Sequence, residues 1–228
     1  MDARRLEGEW LDELPADDPR AQRSRADLRR INAIMGNAGI VASALKPIFP
    51  EPPLSMVELG AGDGEFALRL TRLLGARGLQ VTLVDRQQIV SAATLRAFGD
   101  AGASVNVAQA DVFEWLAGAT RVDLIVANLF LHHFEDEPLA RMLSLIAARS
   151  RAFVACETRR SAFAMAGARM LRVIGCNDVT MHDAAVSIRA GFRDGDLAKL
   201  WPSPGGWSLR EESRGLFSHL FAAHRTSS

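Results

Sequence analysis

The chain has 228 residues, of which 48% are hydrophobic and 24% are charged, and its 27 basic and 27 acidic residues cancel. This length suits a globular protein with a sizeable core, and the balanced charge argues against a general binder of the nucleic-acid backbone. Two cysteines without metal-ligand spacing, the lack of a signal-peptide pattern and the lack of an apolar run of about 18 residues predict a reduced, cytoplasmic protein without a membrane span.

Residues 1–50 are predicted to form a helical lid or appendage that precedes a main domain over 51–228. Residues 2–18 are mostly acidic, and Pro15 and Pro19 are expected to break regular structure there. Apolar residues then recur at helical spacing up to Met35, Gly36 is placed to end that helix, and a shorter helix stops at Pro47. Arginines accompany the longer helix, and a solvated helix face explains them better than contact with an anionic membrane. They are Arg20, Arg23, Arg25, Arg29 and Arg30.

The segment 56–64, Met-Val-Glu-Leu-Gly-Ala-Gly-Asp-Gly, is the strongest functional signal in the sequence. Gly60, Gly62 and Gly64 follow an apolar strand end and precede helix formers, so they permit a sharp turn and a close approach of a ligand. The dinucleotide fingerprint requires a third glycine where this chain has Glu65, whose carboxylate at a helix N-terminus repels a pyrophosphate. The segment therefore predicts a nucleotide-type site without phosphates, with a turn that serves only packing as the alternative.

Further apolar runs predict strands that end in polar residues. They are 79–84, followed by Asp85 and Arg86; 104–110, followed by Asp111 and Val112; 122–127, followed by Asn128; and 152–156, followed by Glu157. A carboxylate about 20 residues after the glycines is placed to accept hydrogen bonds from a ribose diol, which fits Asp85. Taken singly, Asp85 and Asp111 are equally explained as helix N-caps. Their placement at successive strand ends favours a single nucleotide site.

The last part of the chain predicts substrate-covering helices over about 159–201 and then two strands, 207–212 and 218–224. His182 lies in the segment between the two predicted helices. Apolar residues and methionines in this region suit a pocket for a flat aromatic or lipid-like substrate, and they suit a packed lid equally well.

The pattern Glu-x-Gly-x-Gly-x-Gly of residues 58–64, with acidic residues at the next strand ends, resembles the class I S-adenosylmethionine-dependent methyltransferases over residues 54 to about 157. The resemblance implies an α/β fold with a doubly wound, Rossmann-like, mostly parallel seven-stranded sheet, a C-terminal antiparallel hairpin and an N-terminal helical appendage. The implied cofactor is S-adenosylmethionine, whose sulfonium and ammonium are stabilised by nearby carboxylates. The implied cofactor-binding residues are Glu58, Gly60, Ala61, Gly62, Gly64, Asp85, Arg86, Asp111, Val112 and Asn128.

Histidines are the candidate catalytic residues. Methyl transfer from a sulfonium depends mainly on proximity and orientation, but a phenol or hydroquinone must also lose a proton, for which histidine is suited near neutral pH. The candidates are His132 and His133 after the fourth strand, and His182, although each is also explained by packing or capping. A free imidazole as the base predicts a rate that falls below a pH of about 6.5. The spacing of the histidines predicts no metal site.

The loop Leu-His-His-Phe of residues 131–134 resembles small-molecule methyltransferases of the quinone-biosynthesis and natural-product type. The two prolines that follow Asn128 in methyltransferases of nucleic-acid bases are missing, so no nucleic-acid partner is expected. The resemblance favours O-methylation of a phenolic or quinol-like small molecule, including a lipid-tailed or polyketide one. Alternatives are C- or N-methylation on the same fold, and a non-enzymatic or NAD-binding Rossmann protein.

Overall fold

The structure, a computed structural model, describes residues 3–15, 17–202 and 205–226. At its centre lies a seven-stranded sheet. Its strands are β1 (Ser55–Leu59), β2 (Gln80–Asp85), β3 (Ser104–Gln109), β4 (Val122–Asn128), β5 (Ser150–Thr158), β6 (Trp207–Arg214) and β7 (Ser218–Arg225). The strand order is β3-β2-β1-β4-β5-β7-β6; the first five strands of the chain pair in parallel, and β7 pairs antiparallel with both β5 and β6. This arrangement confirms the predicted doubly wound sheet with its C-terminal hairpin.

Helices cover both faces of the sheet. They are α1 (Trp10–Glu13), α2 (Pro19–Met35), α3 (Asn37–Leu45), α4 (Glu65–Leu74), α5 (Ala92–Asp100), α6 (Val112–Gly118), α7 (Asp136–Arg149), α8 (Ala162–Met170), α9 (Asp178–Ala190) and α10 (Asp196–Leu200), with a 3-10 turn over Leu131–His133. Side chains alternate along a strand, so Val57 and Leu59 pack with α6, α7 and α10, whereas Met56 packs on the opposite face with α3, α4 and α5. Glu58 shares the face of Met56 and points toward α4.

The strand order places the binding crevice. Strand β1 lies in the middle of the parallel strands: β2 and β3 lie on one side of it, and β4 and β5 lie on the other. In open α/β sheets, ligands bind outside the carboxyl ends of the strands at this switch point. The glycine loop, the end of β2 and the end of β4 all lie there.

The N-terminal segment is more closely integrated than its sequence indicates. Helix α2 ends at Gly36, whose φ of 67° confirms the predicted left-handed cap. Helix α1 forms in the acidic first part and ends before Pro15, and the backbone N–H groups of Trp10 and Leu11 donate to the Asp183 carboxylate. Helix α3 contributes buried side chains to the core beside α4, including Leu45. The division of the chain at residue 50 stays a prediction.

The remaining elements follow the sequence pattern. Helices α8 and α10 lie within the predicted substrate-covering region, and β6 and β7 form the predicted hairpin. Residues 203–204 of the Pro-Ser-Pro-Gly-Gly loop lie outside the described residues. Cys156 and Cys176 are buried and unpaired. Among the described residues, no helix has both the length and the apolar character needed to cross a membrane.

Candidate functional site

A cavity of about 1130 Å³ opens at the carboxyl edge of the sheet. Its walls are formed by the glycine loop, the ends of β2, β4 and β5, the helices α2 and α8, and part of α9. This volume exceeds the usual range for a pocket that holds one drug-sized ligand. The cavity therefore has room for a cofactor and a second molecule together.

The glycine loop meets the cavity through a backbone that favours glycine. Gly60, Gly62 and Gly64 all have positive φ, at 68°, 53° and 76°. A Cβ on Gly60 would overlap the Phe130 ring, and one on Gly64 would lie 2.8 Å from the side chain of Leu83, whereas one on Gly62 meets no described atom within 4 Å. Gly60 and Gly64 are thus required for packing, and Gly62 faces open space in the cavity wall.

Glu58 places a buried carboxyl group beside this loop. It is 2% exposed, and its Oε2 accepts a hydrogen bond from the Ala67 N–H at 3.2 Å. Burial raises the pKa of Glu58 well above its usual value, with the charges of Asp63 and Asp85 adding to the effect and the Ala67 hydrogen bond opposing it. A cation in the cavity would stabilise the ionised form of Glu58, so this wall suits a positively charged ligand.

Asp85 connects the end of β2 to the glycine loop. Its Oδ2 accepts a hydrogen bond from the Gly62 N–H, and its Oδ1 accepts one from the Gln87 N–H, both at 2.8 Å. Asp85 lines the cavity. Each carboxylate oxygen has a further lone pair, so Asp85 can hold the loop and still accept from a ligand hydroxyl.

The predicted cofactor residues divide into two groups by position. Glu58, Gly60, Ala61, Gly62, Asp85 and Asn128 line the cavity, whereas Gly64, Arg86, Asp111 and Val112 do not. Asp111 is the N-cap of α6 and accepts from the Phe113 N–H at 2.8 Å. This matches the N-cap explanation, and the role of Asp111 toward the cofactor stays a prediction.

Asn128, at the end of β4, is oriented by the N-terminal segment. Its Oδ1 accepts a hydrogen bond from Asn37 Nδ2 at 2.8 Å, and Asn37 Oδ1 accepts one from Ser218 Oγ at 2.7 Å. All three residues are buried. Through these hydrogen bonds the start of α3 joins β4 to β7 at the cavity wall.

Leu129, which follows Asn128, has a φ of 52°, a strained conformation of the kind that collects at functional sites.

His132 and Glu157 form a buried pair at the ends of β4 and β5. His132 Nδ1 lies 2.8 Å from Glu157 Oε2, while Glu157 Oε1 accepts from the N–H groups of Phe130 and Leu131, each at 2.9 Å. Glu157 is fully buried and His132 is 3% exposed. Because Glu157 accepts two backbone hydrogen bonds, its carboxylate is fixed and in turn fixes the imidazole ring.

Glu9 approaches the other nitrogen of His132 from the N-terminal segment. His132 Nε2 lies 3.4 Å from Glu9 Oε1, and Glu9 also accepts a hydrogen bond from Ser187. Burial disfavours the charged imidazole, but the hydrogen bonds to Glu157 and Glu9 outweigh it and raise the pKa of His132 to about 9. Burial also disfavours the Glu9 carboxylate, yet its contacts with His132 lower its pKa to about 2. The pKa of His132 lies above the value of 6.5 for a free imidazole, and the pH at which the rate falls stays a prediction.

The other two candidate histidines lie outside the cavity lining. His133 is exposed and stacks on His132, with ring centroids 4.4 Å apart. His182 stacks on Trp10 at 3.8 Å, and its Nδ1 lies 2.9 Å from Asp183 Oδ1. His182 thus contacts the N-terminal segment and packs it onto α9. A catalytic role of each histidine stays a prediction, and the cavity contacts favour His132.

Ligand atoms of Glu9, His132 and His133 lie within 4.8 Å of one another. The histidine spacing does not indicate this group, because Glu9 is contributed by a distant part of the chain. Glu9 and Glu157 already contact both ring nitrogens of His132. The prediction of no metal stays a prediction.

The sequence interpretation missed Glu9, Asn37 and Glu157 as site residues. Glu157 carried a signal, since it ends the fifth strand as Asp85 and Asn128 end theirs. Glu9 and Asn37 carried none, because neither lies at a strand end or in a glycine loop.

The sequence matches a family model described as a methyltransferase domain over residues 56–151. No curated protein matches it. The plantazolicin methyltransferase BpumL, solved in complex with SAH, aligns with a TM-score of 0.67 and 11% identity over 92% of each chain.

Two further solved structures share the fold. Magnesium protoporphyrin IX methyltransferase ChlM from Synechocystis PCC 6803, solved with bound SAM, aligns with a TM-score of 0.55 and 14% identity over 95% of this chain and 88% of its own. The mitomycin 7-O-methyltransferase MmcR aligns with a TM-score of 0.59 and 17% identity over 95% of this chain and 60% of its own. Residues 56–151 thus match a methyltransferase domain, and the chain shares the class I, Rossmann-like fold of the methyltransferases solved with SAM and SAH.

Proposed function

We propose that this chain is a cytoplasmic S-adenosylmethionine-dependent enzyme that O-methylates a phenolic or quinol-like small molecule. The observation that carries the proposal is the buried His132–Glu157 pair, because it places an oriented imidazole on the wall of the cavity that the glycine loop and Asp85 also line. The family match and the SAM and SAH complexes of the similar structures support S-adenosylmethionine as the cofactor.

The charges of the cavity wall fit this cofactor. Glu58, Asp63 and Asp85 line the same part of the cavity. Burial is the main cause of the raised pKa of Glu58 and repulsion from Asp63 and Asp85 adds to it; a sulfonium and an ammonium would stabilise these carboxylates, whereas a pyrophosphate would add to the repulsion. Asp85 would hold the ribose hydroxyls, and the Gly62 backbone would border the cofactor without a side chain. S-adenosylmethionine supplies an electrophilic methyl group, so the remaining task of the protein is to orient and deprotonate the acceptor.

His132 can perform that deprotonation when the substrate replaces Glu9. Glu157 holds Nδ1, which leaves Nε2 directed at Glu9. A phenol hydroxyl in the position of Glu9 would donate its proton to Nε2, and the resulting imidazolium would be paired with Glu157. The phenolate oxygen would then attack the methyl carbon, and the electron pair of the broken C–S bond would remain on sulfur. Glu157 thereby orients the base and stabilises its charged form.

N-methylation is a second candidate, which the Glu9 carboxylate favours. The pKa of Glu9 is lowered to about 2, so Glu9 stays charged and could hold a substrate ammonium. Identification of the methylated atom in the product distinguishes the two reactions. Titration calorimetry with S-adenosylmethionine and with NAD tests the class itself, and tight binding of NAD alone would contradict both candidates.

Replacing Asp85 by alanine should weaken S-adenosylmethionine binding by about 1.5–3 kcal/mol, the scale of hydrogen bonds to a charged group. The variant loses the acceptor for the ribose and also the contact that holds the Gly62 N–H. Calorimetry measures the affinity, and Asp100→Ala on the exposed end of α5 is the matched control. If Asp85→Ala and Asp85→Asn both bind like the unchanged protein, the assignment of Asp85 to the ribose is wrong.

Replacing Glu9 by glutamine should move the pH dependence of kcat/KM, which reports the free enzyme, to lower pH. The contact with Glu9 helps to raise the pKa of His132, so its removal makes the neutral imidazole available at a lower pH. A pH–rate profile measures the shift, and Glu7→Gln in the same segment is the control. A kcat/KM profile that Glu9→Gln leaves in place would show that Glu9 does not contact His132 in the free enzyme.

A further inference from the structure

Three side chains of metal-binding type meet at the cavity wall, two from the 3-10 turn and one from the N-terminal segment. One ligand atom each of Glu9, His132 and His133 lies within 4.8 Å of the other two. Two imidazoles and one carboxylate are the protein ligands of several catalytic zinc sites. The sequence alone predicts no metal here, because no third ligand follows the two histidines at metal-binding spacing. The folded chain supplies that ligand as Glu9, which lies 123 positions before His132.

The contact between Glu9 and His132 already has the separation of two zinc ligands. His132 Nε2 and Glu9 Oε1 lie 3.4 Å apart, which is long for a hydrogen bond. Zinc holds nitrogen and oxygen ligands at about 2.0–2.2 Å in a tetrahedron, so two ligand atoms lie about 3.3–3.5 Å from each other. The ring nitrogen of His133 has to approach by at most about 1.5 Å, and because this side chain is exposed, rotation about its torsions allows that shift.

Groups behind the cluster fix two of its three ligands. Glu157, which is fully buried, lies 2.8 Å from Nδ1 of His132 and leaves Nε2 directed at the cluster. Metal-binding histidines almost always donate their second ring N–H to such a carboxylate or to a carbonyl. The Glu9 carboxylate accepts a hydrogen bond from the Ser187 hydroxyl. This outer support is an observation separate from the ligand set, and it distinguishes the cluster from a chance group of surface side chains.

The charge of the cluster suits a divalent cation. When both imidazoles are neutral, as metal binding requires, the carboxylates of Glu9 and Glu157 give the cluster two negative charges. Glu157 is fully buried and the Glu9 side chain is 13% exposed, so water screens these charges poorly. Magnesium and calcium prefer oxygen ligands, whereas imidazoles favour zinc and the neighbouring transition metals.

We propose that Glu9, His132 and His133 bind a zinc ion in the free protein. Three protein ligands leave the fourth tetrahedral position open toward the cavity, which Glu9 and His132 line. The ion would occupy His132 Nε2, the nitrogen that the proposed function assigns to the methyl acceptor, and it would hold Glu9 in the place that the acceptor must take. Zinc should therefore inhibit methyl transfer in competition with the acceptor. This competition rests on the proposed function, whereas the zinc site does not.

Calorimetry with zinc chloride on the full chain, after a chelator has removed bound metals, tests the site. We expect a single zinc ion per chain and no comparable binding of magnesium. His133→Ala and Glu9→Gln should each weaken zinc binding at least about tenfold, since even the loss of an outer support costs a metal site about 10–100-fold in affinity. His133 is exposed, so its removal leaves the core intact. The matched controls are His224→Ala on β7 and Glu7→Gln in the N-terminal segment, which should bind zinc like the unchanged protein.

The visible absorption of the cobalt-loaded protein reports the coordination geometry. We expect the intense spectrum of tetrahedral cobalt, and its loss in His133→Ala. The site would be wrong if zinc did not bind, if magnesium bound equally well, if cobalt gave only the weak octahedral spectrum, or if all variants kept the same zinc affinity, which indicates an adventitious ion only. A protein that transfers methyl groups but binds no zinc would contradict the site and leave the proposed function intact. Zinc binding without methyl transfer to any phenol would do the reverse.

Discussion

Replacing His132 by alanine should lower kcat for a phenolic substrate by about 10²–10⁴, the usual contribution of general acid–base catalysis. The physical reason is the loss of the imidazole that Glu157 orients at the cavity wall. The affinity for S-adenosylmethionine should change little, because His132 lies neither in the glycine loop nor at the ribose carboxylate. Steady-state kinetics and calorimetry together separate these two effects.

Two further histidines provide matched controls. We expect His133→Ala and His182→Ala to retain most of the activity, since neither side chain lines the cavity. His132→Ala leaves the buried Glu157 and the partly buried Glu9 without the imidazole between them, so thermal unfolding of His132→Ala and His132→Gln must show that both variants remain folded. If all three alanine variants are equally active, proximity alone drives the transfer.

The direction in which the rate of the unchanged enzyme changes with pH tests whether His132 is the base. Hydrogen bonds to Glu157 and Glu9 hold the pKa of His132 at about 9, above the ordinary value of 6.5. The neutral form that accepts a proton is therefore scarce at pH 7 and increases as the pH rises through about 9. Because kcat/KM reports the free enzyme, in which Glu9 contacts His132, kcat/KM should rise through this range, whereas kcat, which reports the complex in which the substrate has replaced Glu9, should rise at lower pH.

Replacing Gly62 by valine should abolish cofactor binding while the fold survives. A Cβ at Gly62 projects into open space in the cavity wall, where the cofactor is proposed to lie, and the φ of 53° strains a branched residue. Titration with S-adenosylmethionine measures the loss. Gly78→Val is the matched control, because Gly78 also has a positive φ, at 76°, with no described atom within 4 Å of its Cβ position, but it lies outside the cavity.

Comparison of the two glycine variants separates strain from occlusion. Both should lower the melting temperature, and only Gly62→Val should lose the cofactor. A Gly62→Val protein with the affinity of the unchanged chain would show that the cofactor does not approach this loop.

Local sequence signals determined the architecture of this protein. The glycines of the loop, the apolar runs that end in Asp85 and Asn128, and Gly36 after the long helix each depend on a few neighbouring residues. Turn conformation, strand alternation and helix caps are decided at that range, which is why the strands and the carboxyl-edge site follow from the sequence, whereas the doubly wound sheet and the hairpin were implied by the resemblance to methyltransferases.

Only the tertiary structure decided which polar groups share the site. Glu9 meets His132 across 123 positions of the chain, and Asn37 reaches Asn128 across 91. No local pattern marks such pairs, because they arise from the way the N-terminal segment folds back over the sheet. The same folding back of the N-terminal segment makes two neighbouring histidines differ in burial. His132 is buried between two carboxylates, whereas His133 is exposed. The direction of a side chain in a short turn depends on what packs around it, and here that is Glu157 from β5 and Glu9 from the first residues of the chain.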